Sequence, residues 1–228
     1  MFARLTSKTE MKQRRMAEFG GAYHGTNPEG LCTKGFAMGT KVATTLGWRA
    51  VEALAIGDEV MTFDNGVQRI TAITRRQQVA SDEAPAIFAP ITVPAMALGN
   101  LEDMILLPEQ EVMVESDAAE TLYGDPFALL RAKDLVGYRG ISQDVSQRPT
   151  EVVTLHFHSD EILYVEGGAM AFCAADVPGI PTLEFLKNPY LPAPYSTFKG
   201  QEARALVAAM SRLDAHSTGP AAAYAAYS

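Results

Sequence analysis

Few side chains in this sequence carry reactive chemistry, and the thiols come first: Cys32 and Cys173 are the two cysteines. A thiolate attacks carbonyls and binds soft metals, but two thiols in 228 residues do not build a disulfide framework, so reduced thiols are expected. Of the four histidines, His156 and His158 flank Phe157, and Asp160 follows two residues on. Alternate residues of a strand share a face, so His-x-His can ligate a metal where a third group, here Asp160, converges. No zinc-ligand set accompanies the pattern, and polar residues on the solvated side of a strand are the simpler reading. His24 and His216 stand alone. The acidic neighbours Asp82-Glu83 and Glu102-Asp103 read as solvated loop charges rather than an acid/base dyad. Gly20-Gly21 and Gly167-Gly168 lack the strand–turn–helix setting of a phosphate loop. No cofactor is expected.

The elements that must position these groups belong to a globular chain. Hydrophobic residues make up 47% and charged residues 20%, enough apolar material for a core. A net charge of −8 and a pI of about 5.0 argue against nucleic acid or anionic lipid as a default partner. No run approaches the ~18 uncharged apolar residues of a membrane helix, so membrane insertion is not expected. The first twenty residues carry charges where a secretory signal would place its apolar segment. The expected location is therefore cytoplasmic, or external after export without a cleaved N-terminal signal.

Three zones divide the chain. Residues 1–34, basic early (Lys8, Lys12, Arg14, Arg15) and then glycine-rich, read as an N-terminal arm or leader, with a short helix at 11–19. Residues 35–178 hold short strands and turn signals, which indicate an all-β domain. Strands are expected at 41–45, 59–63, 67–74, 91–94, 104–107, 111–115, 151–157 and 161–165, with a helical turn at 51–56 closed by Gly57-Asp58. Leu46-Gly47 marks a hairpin corner, and Asp64-Asn65-Gly66 a tight turn whose central residues tolerate positive φ. Residues 179–228 comprise a proline-rich connector, a helix at 200–213 and an Ala/Tyr tail. Ala205, Leu206, Ala209, Met210 and Leu213 would form the apolar face of that helix.

Three stretches then resemble the Hint (hedgehog/intein) domain family, especially its bacterial branch in alphaproteobacterial proteins. Gly35-Phe36-Ala37-Met38-Gly39-Thr40-Lys41-Val42-Ala43-Thr44 is similar to the family's opening Cys-Phe-x-x-Gly-Thr-x-Ile-x-Thr. Val51-Glu52-Ala53-Leu54-Ala55-Ile56-Gly57-Asp58-Glu59-Val60-Met61-Thr62 continues it, resembling Val-Glu-x-Leu-x-x-Gly-Asp-x-Val-x-Thr. Leu106-Leu107-Pro108-Glu109-Gln110-Glu111-Val112-Met113-Val114 resembles Val-Ser-Pro-x-His-x-Val-Leu-Val. Residues 157–167 are similar to Phe-Asp-x-His-Glu-Val-Val-x-x-Glu-Gly. The resemblance implies a horseshoe-like β fold. Gly39 would permit close backbone approach beside the first strand, and Gly57-Asp58 would close a turn.

The resemblance also implies a chemistry. A cysteine at the first position attacks the preceding carbonyl, a Ser/Thr-x-x-His group polarises that carbonyl and protonates the departing nitrogen, and backbone donors hold the oxyanion. Here the nucleophile position is Gly35, the Ser/Thr position Leu107, the histidine position Gln110 and the later histidine position Asp160, with His158 where an Asp precedes it. Gln110 keeps a hydrogen bond but does not titrate near neutrality. Cys32 is the one rescue. It lies three residues upstream, roughly 10 Å of extended chain, against the ~1 Å precision a reacting geometry needs. Cys173 reads as a small apolar filler near a strand end.

The expected protein is thus a non-catalytic Hint-fold module that binds a protein partner or joins a larger assembly. The alternatives are self-processing from a displaced nucleophile such as Cys32, and a secreted accessory protein. In the first reading the 200–213 helix either packs on the β domain or lies in a partner's groove.

Overall fold

The computed structural model describes residues 31–77, 88–144, 151–175, 195 and 197–216. The expected helix at 11–19, the Asp82-Glu83 pair, the proline-rich connector and the Ala/Tyr tail lie outside the described residues.

The expected short strands form. In chain order they are β1 (Phe36–Ala37), β2 (Lys41–Thr44), β3 (Gly47–Ala50), β4 (Glu59–Met61), β5 (Val67–Arg69), β6 (Ala72–Gln77), β7 (Ile91–Val93) and β8 (Met104–Leu106). There follow β9 (Glu111–Glu115), β10 (Phe127–Arg131), β11 (Ser142–Gln143), β12 (Glu151–His156), β13 (Glu161–Val165), β14 (Ala169–Cys173) and β15 (Thr197–Phe198). Two helices, α1 (Asp117–Tyr123) and α2 (Gly200–His216), join them. A six-stranded sheet runs β11-β7-β8-β1-β12-β6, and a nine-stranded sheet runs β15-β10-β9-β14-β13-β2-β4-β5 with β3 against β2. One large apolar cluster draws Leu106 and Val153 from the first sheet, Val60, Leu130 and Leu163 from the second, and Leu206 from α2.

Several local expectations hold. Val51–Ala53 makes one 3-10 turn, and Asp58 closes the next bend by accepting from the Ala55 N–H and the Arg49 guanidinium, both at 2.9 Å. Others need correction. The run 67–74 is two strands in different sheets, because Ile70 is buried at the crossing and its N–H and C=O bond Asp58 and Gly57. The turn after β4 spans five residues, Thr62 to Gly66, closed by Thr62 N–H to Gly66 O at 2.7 Å. Only Gly66 of its central residues has positive φ (67°), so the two-residue mirror turn is not formed. At Gly39 space is not the constraint, since an added side chain meets nothing within 4 Å; its φ of +93° is what favours glycine.

α2 packs on the β domain rather than standing free. Ala203, Leu206 and Met210 are its buried residues. Arg139 grips Asp214 near its C-terminus (Nε to Oδ2 2.6 Å) while lying over the Tyr138 ring at 5.0 Å. Of the expected apolar face, Ala205 and Leu213 are exposed and line, with Ala118 and Leu122 of α1, an apolar groove of about 530 Å³. Among the described residues no helix is long and apolar enough to cross a membrane.

Candidate functional site

β1 lies in the middle of the smaller sheet, with Phe36 opposite Leu106 on one side and Val153 on the other. Gly35, just before it, therefore sits between β12 and the turn that follows β8. That turn, Leu107-Pro108-Glu109-Gln110, is closed by Gln110 N–H to Leu107 O at 2.9 Å. Its far side is pinned by Lys133 N–H to Pro108 O (3.1 Å) and Ala132 N–H to Gln110 O (2.9 Å). Glu109 pairs with Lys133 and, at 3.4 Å, with Arg131, which is itself held by Asp134.

Gln110 is buried and its carboxamide is fully engaged. Oε1 accepts from the Gly35 N–H at 3.1 Å; Nε2 donates to Glu111 O at 2.9 Å and Phe172 O at 2.8 Å. Two acceptors on one end and a donor on the other fix which way the amide points. The group facing the nitrogen of the Lys34–Gly35 peptide bond is thus an oxygen that accepts.

Gly35 has φ +112°. A side chain there would place Cβ 2.8 Å from Val152 Cγ1, 3.0 Å from Thr154 Oγ1 and 3.1 Å from Val153 O, below ordinary contact distance. Leu107 is buried and packs with Cys32 and Val152. The Cys32 thiol is therefore within the fold, not on a free arm: Leu31, Cys32 and Thr33 are buried, and Thr33 O accepts from the Glu109 N–H at 2.8 Å. Burial raises the Cys32 pKa, with Arg76 opposing. Cys173, buried at the end of β14, is pushed up to about 12, chiefly by burial. Lys34 bonds Glu111 at 2.7 Å and lies over the Phe172 ring at 5.8 Å. The signal of this pair in the sequence is a carboxylate, Glu111, opening the apolar strand β9.

The His156–His158–Asp160 pattern does not converge. β12 ends at His156, so the alternation that would put both imidazoles on one face stops there. His156 is buried, with Nε2 3.0 Å from Thr74 Oγ1, rather than solvated; His158 is exposed. Asp160 Oδ1 accepts from the Ala175 N–H at 2.7 Å. Among the described residues no three His, Cys, Asp or Glu side chains gather as a metal site.

A family model for the Hint domain matches residues 34–171. The bacterial intein-like domain from Clostridium thermocellum is 14% identical over 60% of this chain and 97% of its own, with a TM-score of 0.45. The MchDnaB-1 intein is 12% identical over 60% of this chain and 98% of its own, with a TM-score of 0.39. The search of curated proteins gives no match.

Proposed function

Because this chain belongs to the Hint domain family, the model for which covers more than half of it, we propose that it is a bacterial-branch member that has lost self-cleavage and acts by binding. The observation that carries this reading is the Gly35–Gln110 hydrogen bond. Self-cleavage in this family needs a nucleophile at the first position and a proton donor to the departing nitrogen. The first position here bears no side chain, and the nitrogen is faced by an amide oxygen that has no proton to give. Leu107, in the turn below, offers no hydroxyl to polarise a carbonyl. Asp160 is committed to the Ala175 N–H.

The surroundings of Cys32 support the same reading. A displaced nucleophile needs thiolate and access, whereas this thiol is buried in an apolar cluster that raises its pKa. The residues upstream of the former cleavage point are also part of the core, through Leu31 and Cys32. A segment meant to leave would not be built into the domain it leaves. What remains is a β module carrying a docked helix, suited to holding a protein partner or joining an assembly.

The test is the intact mass of freshly expressed chain, followed by affinity capture of the tagged full-length protein from its native cell. A single species of 24.6 kDa is expected. A product beginning at Cys32 or Gly35 without added protease would make the chain a self-processing enzyme instead.

A further inference from the structure

The turn between β4 and β5 carries a chemistry that the cleavage site does not use. Of the chain's asparagines, only Asn65 is followed by glycine; Asn27 and Asn188 precede proline, and Asn100 precedes leucine. Asn65 and Gly66 are exposed. The next residue therefore has neither a side chain to shield its amide nor a ring to remove the N–H. Asn100 is the opposite case: it is buried, and its amide donates to Pro94 O at 2.9 Å and Glu102 O at 2.8 Å.

What makes Asn65 consequential is its partner. Its Nδ2 donates to Glu161 Oε2 at 3.1 Å, and Glu161 is a fully buried residue whose other oxygen accepts from Ser159 Oγ at 2.7 Å. A buried carboxylate is tolerated only with donors such as these. We propose that Asn65-Gly66 is a self-modification site, at which conversion of the asparagine to an acid withdraws a donor from buried Glu161 and loosens the β4–β5 hairpin. The Gly66 amide nitrogen attacks Asn65 Cγ, and the carboxamide nitrogen leaves as ammonia with the proton released by Gly66. One water then opens the five-membered imide at either carbonyl, giving aspartate or isoaspartate. Water is consumed, ammonia is released, and no other reactant is needed. The product sets a second carboxylate against Glu161, and like charges at that separation repel. Asp64, whose Oδ2 accepts from Tyr195 Oη, adds a third acid to the same turn.

Two measurements on the full chain test this. After incubation in mildly alkaline buffer, peptide mapping should show the amide-to-acid mass gain at Asn65 well ahead of Asn27, Asn100 and Asn188. An Asn65 that keeps its amide as long as they do overturns the proposal. Separately, Asn65→Asp should lower Tm by a few degrees, and Glu161→Gln, by removing the opposing charge, should recover most of that loss in the double variant. An Asn65→Asp chain as stable as the parent, or one that Glu161→Gln fails to rescue, refutes the coupling.

Discussion

Position 35 is narrower than a side chain. Placing a thiol there with Gly35→Cys puts Cβ against Val152 and Val153 in a left-handed backbone, so the variant is expected to lose about 1–3 kcal/mol to overpacking. Intact mass should show it uncleaved, and thermal melts should show it less stable; cleavage by this single variant would mean that β12 yields easily. Glu166 supplies a pH-dependent prediction. Burial raises its pKa, against the opposing Lys41 N–H bond at 2.7 Å. The folded carboxyl holds its proton more tightly than the unfolded one, so its ionisation weakens the fold as pH rises from the ordinary glutamate range through the raised folded value. Glu166→Gln keeps an acceptor for Lys41 and should be more stable than the parent at neutral pH. That advantage should vanish in acid below the ordinary glutamate range, as urea melts across pH would show. At this scale the sequence tells which residue types stand at Gly35, Leu107 and Gln110, but not how they pack. It was silent on what Gln110 does, because the Phe172 carbonyl it bonds lies sixty-two residues away.

Strands with turn signals at both ends were readable because period-two burial and glycine or proline punctuation act locally. α1 was not. Its seven residues are capped by Ser116 Oγ accepting from the Ala118 N–H and stopped at Gly124 in the left-handed region, but a helix that short shows too little period to stand out. α2 was read correctly as amphipathic, yet its buried line is Ala203, Leu206 and Met210, because α1 and the 132–135 turn are what pack against it. Leu206→Ala is expected to cost about 2–5 kcal/mol, as a large-to-small change in a full core does, and chemical denaturation measures it. A change near zero would mean that α2 contributes little to the fold.

For the whole molecule, the all-β class and the position of the terminal helix were evident from pattern. The packing of Leu31 to Thr33 is a tertiary fact that no local pattern announces. Removing residues 1–34 should therefore lower the melting temperature, whereas removing 1–30 should leave Leu31 and Cys32 to fill their places. Comparing the two truncations by calorimetry checks this. If both melt alike, the 31–34 segment is dispensable.

The chain passes between the two sheets after β1, after β5, after β8, after β10 and again after β12. Neither sheet is a contiguous length of sequence, so neither can melt and leave its neighbour whole: each pass is a stitch through both cloths. Heat should undo the fabric in a single step, with calorimetric and van't Hoff enthalpies in agreement. Amide protons of β12 and β13, one from each sheet, should then exchange through the same rare global opening.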